Sequence, residues 1–189
     1  MNGLFDNIYK VIVSPDKGFE KIKGEDSLSF ALVIIVFLTI FMHILRFEHS
    51  GSISNFGACL FTMQFSVIFG IFIWFITGLF FELLAKPFDK SGNLKTYLSL
   101  SAYALVPSIF FAPASAIKAL GSAGYFLGVI GELSIYVWVV YLSLKAIRIA
   151  YNLKFSRVFF LIAVPFVSWI MLIIWMIGFF ADMNYIFNS

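Results

Sequence analysis

Charged side chains are scarce in this sequence. They make up 12% of its 189 residues, compared with about 25% in soluble proteins, while hydrophobic residues reach 61%. A soluble fold of this length has too small an interior to bury so much apolar surface. A water-soluble globular protein is therefore excluded, and lipid is the expected solvent for most of the chain.

Side chains suited to catalysis and metal binding are also few. The one cysteine, Cys59, lies in an apolar run, so an internal disulfide is excluded and the thiol is expected to be a small buried group. The two histidines, His43 and His49, could form a zinc set only with carboxylates such as Glu48. The sequence contains no P-loop, dinucleotide, esterase or metalloprotease motif. We therefore expect no enzyme, no metal and no cofactor, and the scattered basic residues argue against nucleic acid as a partner.

Apolar runs long enough to cross a bilayer dominate the rest of the sequence. About 20 helical residues span the roughly 30 Å of hydrocarbon, and none of the runs alternates as a barrel strand does. The predicted fold is all-α: a polytopic membrane protein with a short amphipathic helical segment, residues 1–24, and a transmembrane domain, residues 25–189. The five transmembrane helices are predicted at 27–46, 57–84, 96–117, 121–144 and 158–181.

Basic residues separate between alternate loops. Of the 13 lysines and arginines, 11 fall in the N-terminal segment and in the loops after the second and fourth predicted spans. The positive-inside rule then places the N-terminus in the cytoplasm and, after five spans, the C-terminus outside.

The N-terminal segment carries apolar residues at helical spacing. Ser14-Pro15 interrupts it and is typical of a helix start, with serine as N-cap and proline at the first helical position. We predict one or two helices that either lie on the cytoplasmic membrane surface or pack under the bundle. The apolar positions of the first part are Leu4, Phe5, Ile8, Val11 and Ile12.

Glu132 is the most informative polar residue within a predicted span. It lies about 11 residues into the fourth span, or roughly 16 Å from its start, and therefore near the midplane. A carboxyl group at that depth is costly and marks either a functional site or a hydrogen-bonded structural group. Tyr103 and Gln64 are candidate partners, and Pro107 is expected to kink or break the third span and complete the candidate polar site.

Small residues recur in the third and fourth spans at the four-residue spacing that lets helices approach closely. We predict that they pack the bundle internally, although a homo-oligomer interface is an open alternative. They are Ala104, Ser108, Ala112 and Ala116 in the third span, and Gly124 and Gly128 in the fourth.

Three stretches resemble the Yip family (Ypt/Rab-interacting protein family) of membrane proteins. GNLxxY at residues 92–97 and SAYALVP at residues 101–107 are similar to the middle of the family, whose third span carries an alanine-tyrosine-x-x-x-proline pattern. SPxxxFxxI at residues 14–22 resembles its motif ahead of the first span. The resemblance implies five spans with a cytoplasmic N-terminus. The short N-terminal arm resembles the prokaryotic branch and implies a plasma or inner membrane.

Two functions follow as hypotheses. The first is a non-enzymatic membrane organiser or adaptor, which binds lipid or partner proteins at its cytoplasmic face; the family resemblance implies this role through the membrane shaping of its eukaryotic members. The second is a small channel or transporter with a polar site near the midplane around Glu132 and Tyr103. A shared polar cavity at those two residues would favour the second.

Overall fold

The computed structural model describes residues 2–25, 28–49, 56–88 and 93–163, together with positions 167, 170, 171 and 174–176. The chain divides into two units, Met1–Leu153 and Lys154–Ser189. The α-helices of the first unit are α1 (Asn2–Val13), α2 (Pro15–Lys23), α3 (Leu28–His49), α4 (Phe56–Ala85), α5 (Leu94–Ala104), α6 (Phe111–Lys118) and α7 (Gly121–Ala150).

Four helical segments of the first unit are apolar and long enough to cross a membrane. They are Leu28–Leu45, Gly57–Ala85, Leu94–Lys118 and Gly121–Ala150, and they correspond to the first four predicted spans. The all-α multi-pass prediction is thereby confirmed. In the second unit residues 155–163 are helical, but most of the predicted fifth span, 158–181, lies outside the described residues. The count of five spans stays a prediction.

The third span is broken rather than continuous. α5 ends at Ala104, a 3₁₀ turn covers Val106–Phe110, and α6 begins at Phe111. Pro107 lies within that turn and is fully buried. Because proline has no N–H and its ring clashes with the carbonyl four residues earlier, α5 cannot continue through it.

α5 is the central helix of the first unit. Its side chains from Tyr97 to Leu100 and from Ala102 to Ala104 are buried, and it packs against α3, α4 and α7. The Trp74 indole of α4 donates a hydrogen bond of 2.9 Å to the Ser101 hydroxyl, which fixes one side of this packing. α4 instead exposes a row of large apolar side chains, as a lipid-facing helix does. They include Phe61, Phe65, Phe69 and Phe72.

α1 and α2 form a tight helical hairpin. The Gly18 backbone of α2 approaches α1 so closely that a Cβ atom at Gly18 would lie 2.6 Å from the Val11 backbone nitrogen. Phe19 and Ile22, on the same helix, are fully buried. The hairpin packs against α5 and α7, at the end of the bundle where α3 and α5 begin and α4 and α7 end. We call this end the hairpin end.

Candidate functional site: two separate polar clusters

The first polar cluster is held by the close packing of α6 against α7. α6 ends at Lys118, Ala119 caps it, and α7 begins three residues after Lys118, at Gly121. Gly121 has a φ of +84°, a left-handed conformation that glycine adopts without strain. At Gly124 a Cβ atom would lie 2.5 Å from the Ile117 carbonyl oxygen, and at Gly128 it would lie 2.7 Å from the Ala114 carbonyl oxygen. Two glycines are thus needed for α6 and α7 to touch.

This approach pairs the carboxylate of Glu132 with a lysine. Lys118 Nζ lies 2.5 Å from Glu132 Oε2, and the Ser115 hydroxyl donates to Oε1 at 3.2 Å. The two charged side chains are 27% and 24% exposed, respectively. Both carboxylate oxygens therefore have partners, and the ammonium group neutralises the charge that made Glu132 costly within the span.

We expect the charges of Glu132 and Lys118 to stabilise the protein only when both are present. Removing one partner leaves the other charge unpaired among apolar groups, so Glu132→Leu or Lys118→Met should each cost about 3 kcal/mol of unfolding free energy. The double variant should come close to the parent. A double-mutant cycle in detergent, read by unfolding in increasing denaturant, checks this; single costs that simply add would contradict the pairing.

The other members of the predicted midplane site lie elsewhere. Tyr103 is fully buried, and its hydroxyl lies beside Asn7 of α1. Among the described residues, no group forms a hydrogen bond with this hydroxyl. Gln64 is exposed on α4, and Pro107 is buried in the 3₁₀ turn. Among the described residues, the hydrogen-bond partners of Glu132 are Ser115 and Lys118, whereas the Tyr103 hydroxyl lies beside Asn7.

The small residues of the third span have mixed surroundings. Ala104 is buried in the core, Ser108 and Ala112 are half-buried, and Ala116 is exposed. Ala114 faces two of the α7 glycines: its carbonyl oxygen meets Gly128 and its Cβ lies beside Gly131. Gly124 and Gly128 are both at the contact with α6.

The second polar cluster lies inside the helical hairpin. Lys21 of α2 donates to Asp6 at 2.7 Å and to the Asn7 side chain at 2.8 Å, and Lys10 donates to Asp6 at 2.7 Å. Asn7 is 1% exposed, and its amide donates to Glu25 at 2.9 Å. The bonds from Lys21 and to Glu25 join α1 to the α2 side of the hairpin through charge-assisted contacts, which are stronger than neutral ones, while the Lys10–Asp6 pair lies within α1.

Further charges hold the hairpin to the end of α7. Asp16 accepts from Lys145 at 2.5 Å and from Arg148 at 3.4 Å. Lys23 donates to the Ile149 carbonyl at 3.0 Å and to the Asn152 side chain at 2.8 Å. The last turn of α7 leaves carbonyl groups without helical partners. The Lys23 ammonium group satisfies one of them, and its charge interacts favourably with the negative end of the helix dipole.

Beside these contacts lies a small polar cavity of about 220 Å³ between the end of α2 and the start of α5. Its walls include Lys23, Glu25, Lys95 and Thr96, together with Asn93. The Asn93 side chain caps α5 by accepting from the Lys95 backbone N–H at 3.1 Å. Basic, acidic and hydroxyl groups therefore line a cavity at the hairpin end.

The ion pairs of the hairpin give it a defined pH range. Hydrogen bonds from Lys10 and Lys21 hold the pKa of Asp6 below its ordinary 3.8, and the bond to Asp6 raises the pKa of Lys21 above its ordinary 10.5. The Asp6 contribution is therefore complete above pH 3.8 and is lost as the pH falls through the lower folded pKa. The Lys21 contribution is complete below pH 10.5 and is lost as the pH rises through the higher folded pKa.

We accordingly expect amide protection in α1 to fall below about pH 4 and above about pH 10.5. Hydrogen exchange of the full chain, measured across pH and corrected for the intrinsic rate, checks this. In Asp6→Asn the drop in acid should disappear, while protection at neutral pH should be lower than in the parent. An unchanged acid limb in that variant would assign the effect to another carboxylate.

No group of three metal-binding side chains occurs among the described residues. His43 lies near the hydroxyls of Thr62 and Ser66, at 3.2 and 2.9 Å, and so connects α3 to α4. The side chains of Glu48 and His49 lie outside the described part of the chain. Cys59 is a half-buried free thiol.

Comparison with known proteins agrees with this architecture. A family model, the Yip1 domain, matches residues 9–177, which is most of the chain. This protein belongs to the Yip family. The match covers all three stretches on which the sequence resemblance rests, and it includes the end of α1, all of α2, the broken third span and α7. No curated protein sequence and no solved structure gives a significant match to the chain.

Tyr103 and Pro107, which match the alanine-tyrosine-x-x-x-proline pattern, are both buried in this protein. Pro107 ends the central helix of this family member, and Tyr103 fills the core just before that break. The docking residues Asp16 and Lys23 were missed by sequence reasoning because their partners, Lys145 and Ile149, are more than 120 residues away. The sequence carried part of this signal: the basic residues were predicted to lie on one side of the membrane, but the pattern does not say which of them are paired.

Proposed function

We propose that this Yip-family protein is a non-enzymatic membrane organiser or adaptor that binds lipid or partner proteins at its hairpin end. The observation that carries the proposal is the docked hairpin of α1 and α2. Asp16 and Lys23 anchor its inner side to α7, and its outer side is left uncovered by the described chain. A surface held in place in this way can present a fixed shape to a ligand.

The charge of the hairpin end supports this function. The described segments of the first unit that meet there carry eight basic and five acidic residues, an excess that suits anionic lipid headgroups or acidic partner surfaces. We infer that this end faces the cytoplasm of a prokaryotic cell, that the chain makes five spans, and that its C-terminus lies outside. The basic residues are Lys10, Lys17, Lys21, Lys23, Lys86, Lys95, Lys145 and Arg148; the acidic ones are Asp6, Asp16, Glu20, Glu25 and Glu82.

Reconstitution of the full chain into liposomes tests the organiser function. Vesicle diameters, measured by electron cryomicroscopy at increasing protein-to-lipid ratios, should shift with the parent protein. Asp16→Lys should lose the shift because it replaces two ion pairs with repulsion from Lys145 and Arg148. Glu20→Lys makes the same charge change at an exposed position of α2 and should behave as the parent does. Diameters equal to those of empty liposomes would count against an organiser.

Transport is the alternative function, supported by Glu132 within the fourth span, by the proline break of the third span and by the small residues of both spans. The Glu132 carboxylate is paired with Lys118, and Tyr103 and Gln64 do not join it. We therefore expect no flux of ions or metabolites in proteoliposomes above the rate of empty liposomes. A flux through the parent protein that Glu132→Gln abolishes would favour transport over the organiser function.

A further inference from the structure

The outer side of α1 is an exposed apolar stripe. Phe5, Tyr9 and Val13 are 66%, 65% and 58% exposed, and they follow one another at four-residue spacing on one helix face. The opposite face carries Asn7 and Val11, each 1% exposed. α1 is therefore apolar on the side that the described part of the first unit leaves open, and an exposed apolar stripe of this kind is typical of a contact surface.

The depth of α1 indicates what covers it. Tyr103 lies nine residues after Leu94, so its backbone is about 13 Å along α5 from the start of an apolar segment long enough to span the bilayer. Its side chain leans back toward that start, as helical side chains do, and its hydroxyl lies beside Asn7 of α1. α1 is thus packed alongside α5 rather than beyond its end. A helix at this depth has lipid as its neighbour on any side turned away from the protein.

The connection to the first span agrees with that placement. α2 ends at Lys23 and α3 begins at Leu28, so residues 24–27 are the whole link between the hairpin and a spanning helix. A chain extends by at most about 3.6 Å per residue, which confines the end of α2 to within roughly 18 Å of the start of α3. The hairpin therefore stays at the membrane surface.

The chemistry of the stripe also fits the boundary between headgroups and acyl chains. Tyrosine favours this depth because its ring is apolar and its hydroxyl is polar. Phe5 and Val13 add apolar area on either side of Tyr9, while the side chain of Lys10, next in sequence, is 43% exposed. Basic side chains beside an inserted apolar face are typical of helices that bind anionic leaflets.

We propose that Phe5, Tyr9 and Val13 insert into the headgroup–acyl boundary of the adjacent leaflet, so that anionic phospholipid is the ligand of the α1 face. This inference rests on the proposed function and names the lipid as its ligand. The hairpin then acts as a fixed wedge: Asp16 and Lys23 hold its inner side to α7 while the stripe occupies area in one leaflet only.

Spin labels on the full chain test the insertion. In a Cys59→Ser background, Phe5→Cys and Tyr9→Cys carry the label on the stripe. Phe69→Cys, on the lipid-facing side of α4, is the lipid control, and Lys17→Cys is the water control. Collisions with oxygen and with a water-soluble nickel complex are compared in vesicles of phosphatidylcholine with and without phosphatidylglycerol.

Insertion predicts that labels at Phe5 and Tyr9 collide with oxygen as often as the label at Phe69 does and lose most of the nickel collisions seen at Lys17. Phosphatidylglycerol should strengthen both changes. Nickel collisions equal to those at Lys17 would overturn the proposal. Shielding from both reagents that weakens as the protein is diluted in lipid would overturn it as well, because it would show a second copy of the chain on the stripe.

The same vesicles separate this inference from the proposed function. Labels that insert while vesicle diameters stay unchanged would uphold the lipid ligand and contradict the organiser. Labels that stay in water while diameters still shift would contradict the lipid ligand and assign the organiser function to another surface. Phe5→Ser with Tyr9→Ser should lose both effects if the two proposals are right.

Discussion

Replacing Gly128 with alanine should open the contact between α6 and α7 and lower the unfolding free energy by about 2 kcal/mol, a typical cost of forcing atoms into a packed interface. The added Cβ would meet the Ala114 carbonyl oxygen at 2.7 Å, and backbone atoms cannot move aside as a flexible side chain can. The Lys118 side chain packs at the same place, so its pairing with Glu132 should be lost too. Thermal unfolding in detergent measures the change.

Gly131→Ala is the matched control on the same helix. Its Cβ would lie 3.5 Å from the Ala114 Cβ, an ordinary van der Waals distance. Alanine favours a helix over glycine by about 1 kcal/mol, so this variant should equal or exceed the parent in stability. The two substitutions add the same methyl group three residues apart, and we expect them to act with opposite sign. Equal effects would show that the glycines are not close-contact positions.

Gly18→Ala should separate the two helices of the hairpin. The new Cβ would lie 2.6 Å from the Val11 nitrogen and 2.8 Å from the Lys10 carbonyl carbon, both of them backbone atoms. We expect a loss of about 2 kcal/mol in hairpin stability and early proteolytic cutting within the first 24 residues, because the opened segment no longer buries Phe19 and Ile22.

Gly3→Ala controls for the loss of a glycine from the hairpin, since a Cβ there would have no neighbour within 4 Å. Limited proteolysis of both variants in proteoliposomes, with the parent beside them, makes the comparison. If Gly18→Ala is cut no faster than Gly3→Ala, the hairpin is not held by this backbone contact. Vesicle diameters recorded on the same samples then report whether a loosened hairpin still shapes the membrane.

Apolar runs and proline positions predicted much of the fold because the bilayer leaves few alternatives. A run such as Gly57–Ala85 has to be helical in lipid, where every backbone group needs a partner within its own segment. Pro107 likewise predicts a break in the third span, because its missing N–H and the steric clash of its ring are local properties. Such features depend on near neighbours in sequence, which a single chain shows directly.

The polar contacts could not be predicted in the same way. The sequence shows that Glu132 is costly within a span, but Lys118 follows the end of the predicted third span, 96–117. The close approach at Gly128 brings its ammonium group back along α6 to the carboxylate. The prediction that groups Tyr103 with Glu132 rests on depth alone. Depth does not fix the direction of a side chain around a helix, and Tyr103 points to the hairpin instead.

The attachment of the hairpin to α7 sets an order of events during synthesis. α1 and α2 are made first, but Asp16 and Lys23 bind groups that follow 126 to 132 residues later. At about 5–20 residues per second, the ribosome needs roughly 6 to 25 s to supply them. During the first part of that interval the hairpin's inner face has neither α5 nor α7 to pack against, and in the rest α7 is still incomplete. The nascent chain must therefore keep the apolar inner face of its hairpin on the membrane surface, or bound to a chaperone, until its fourth span has been inserted.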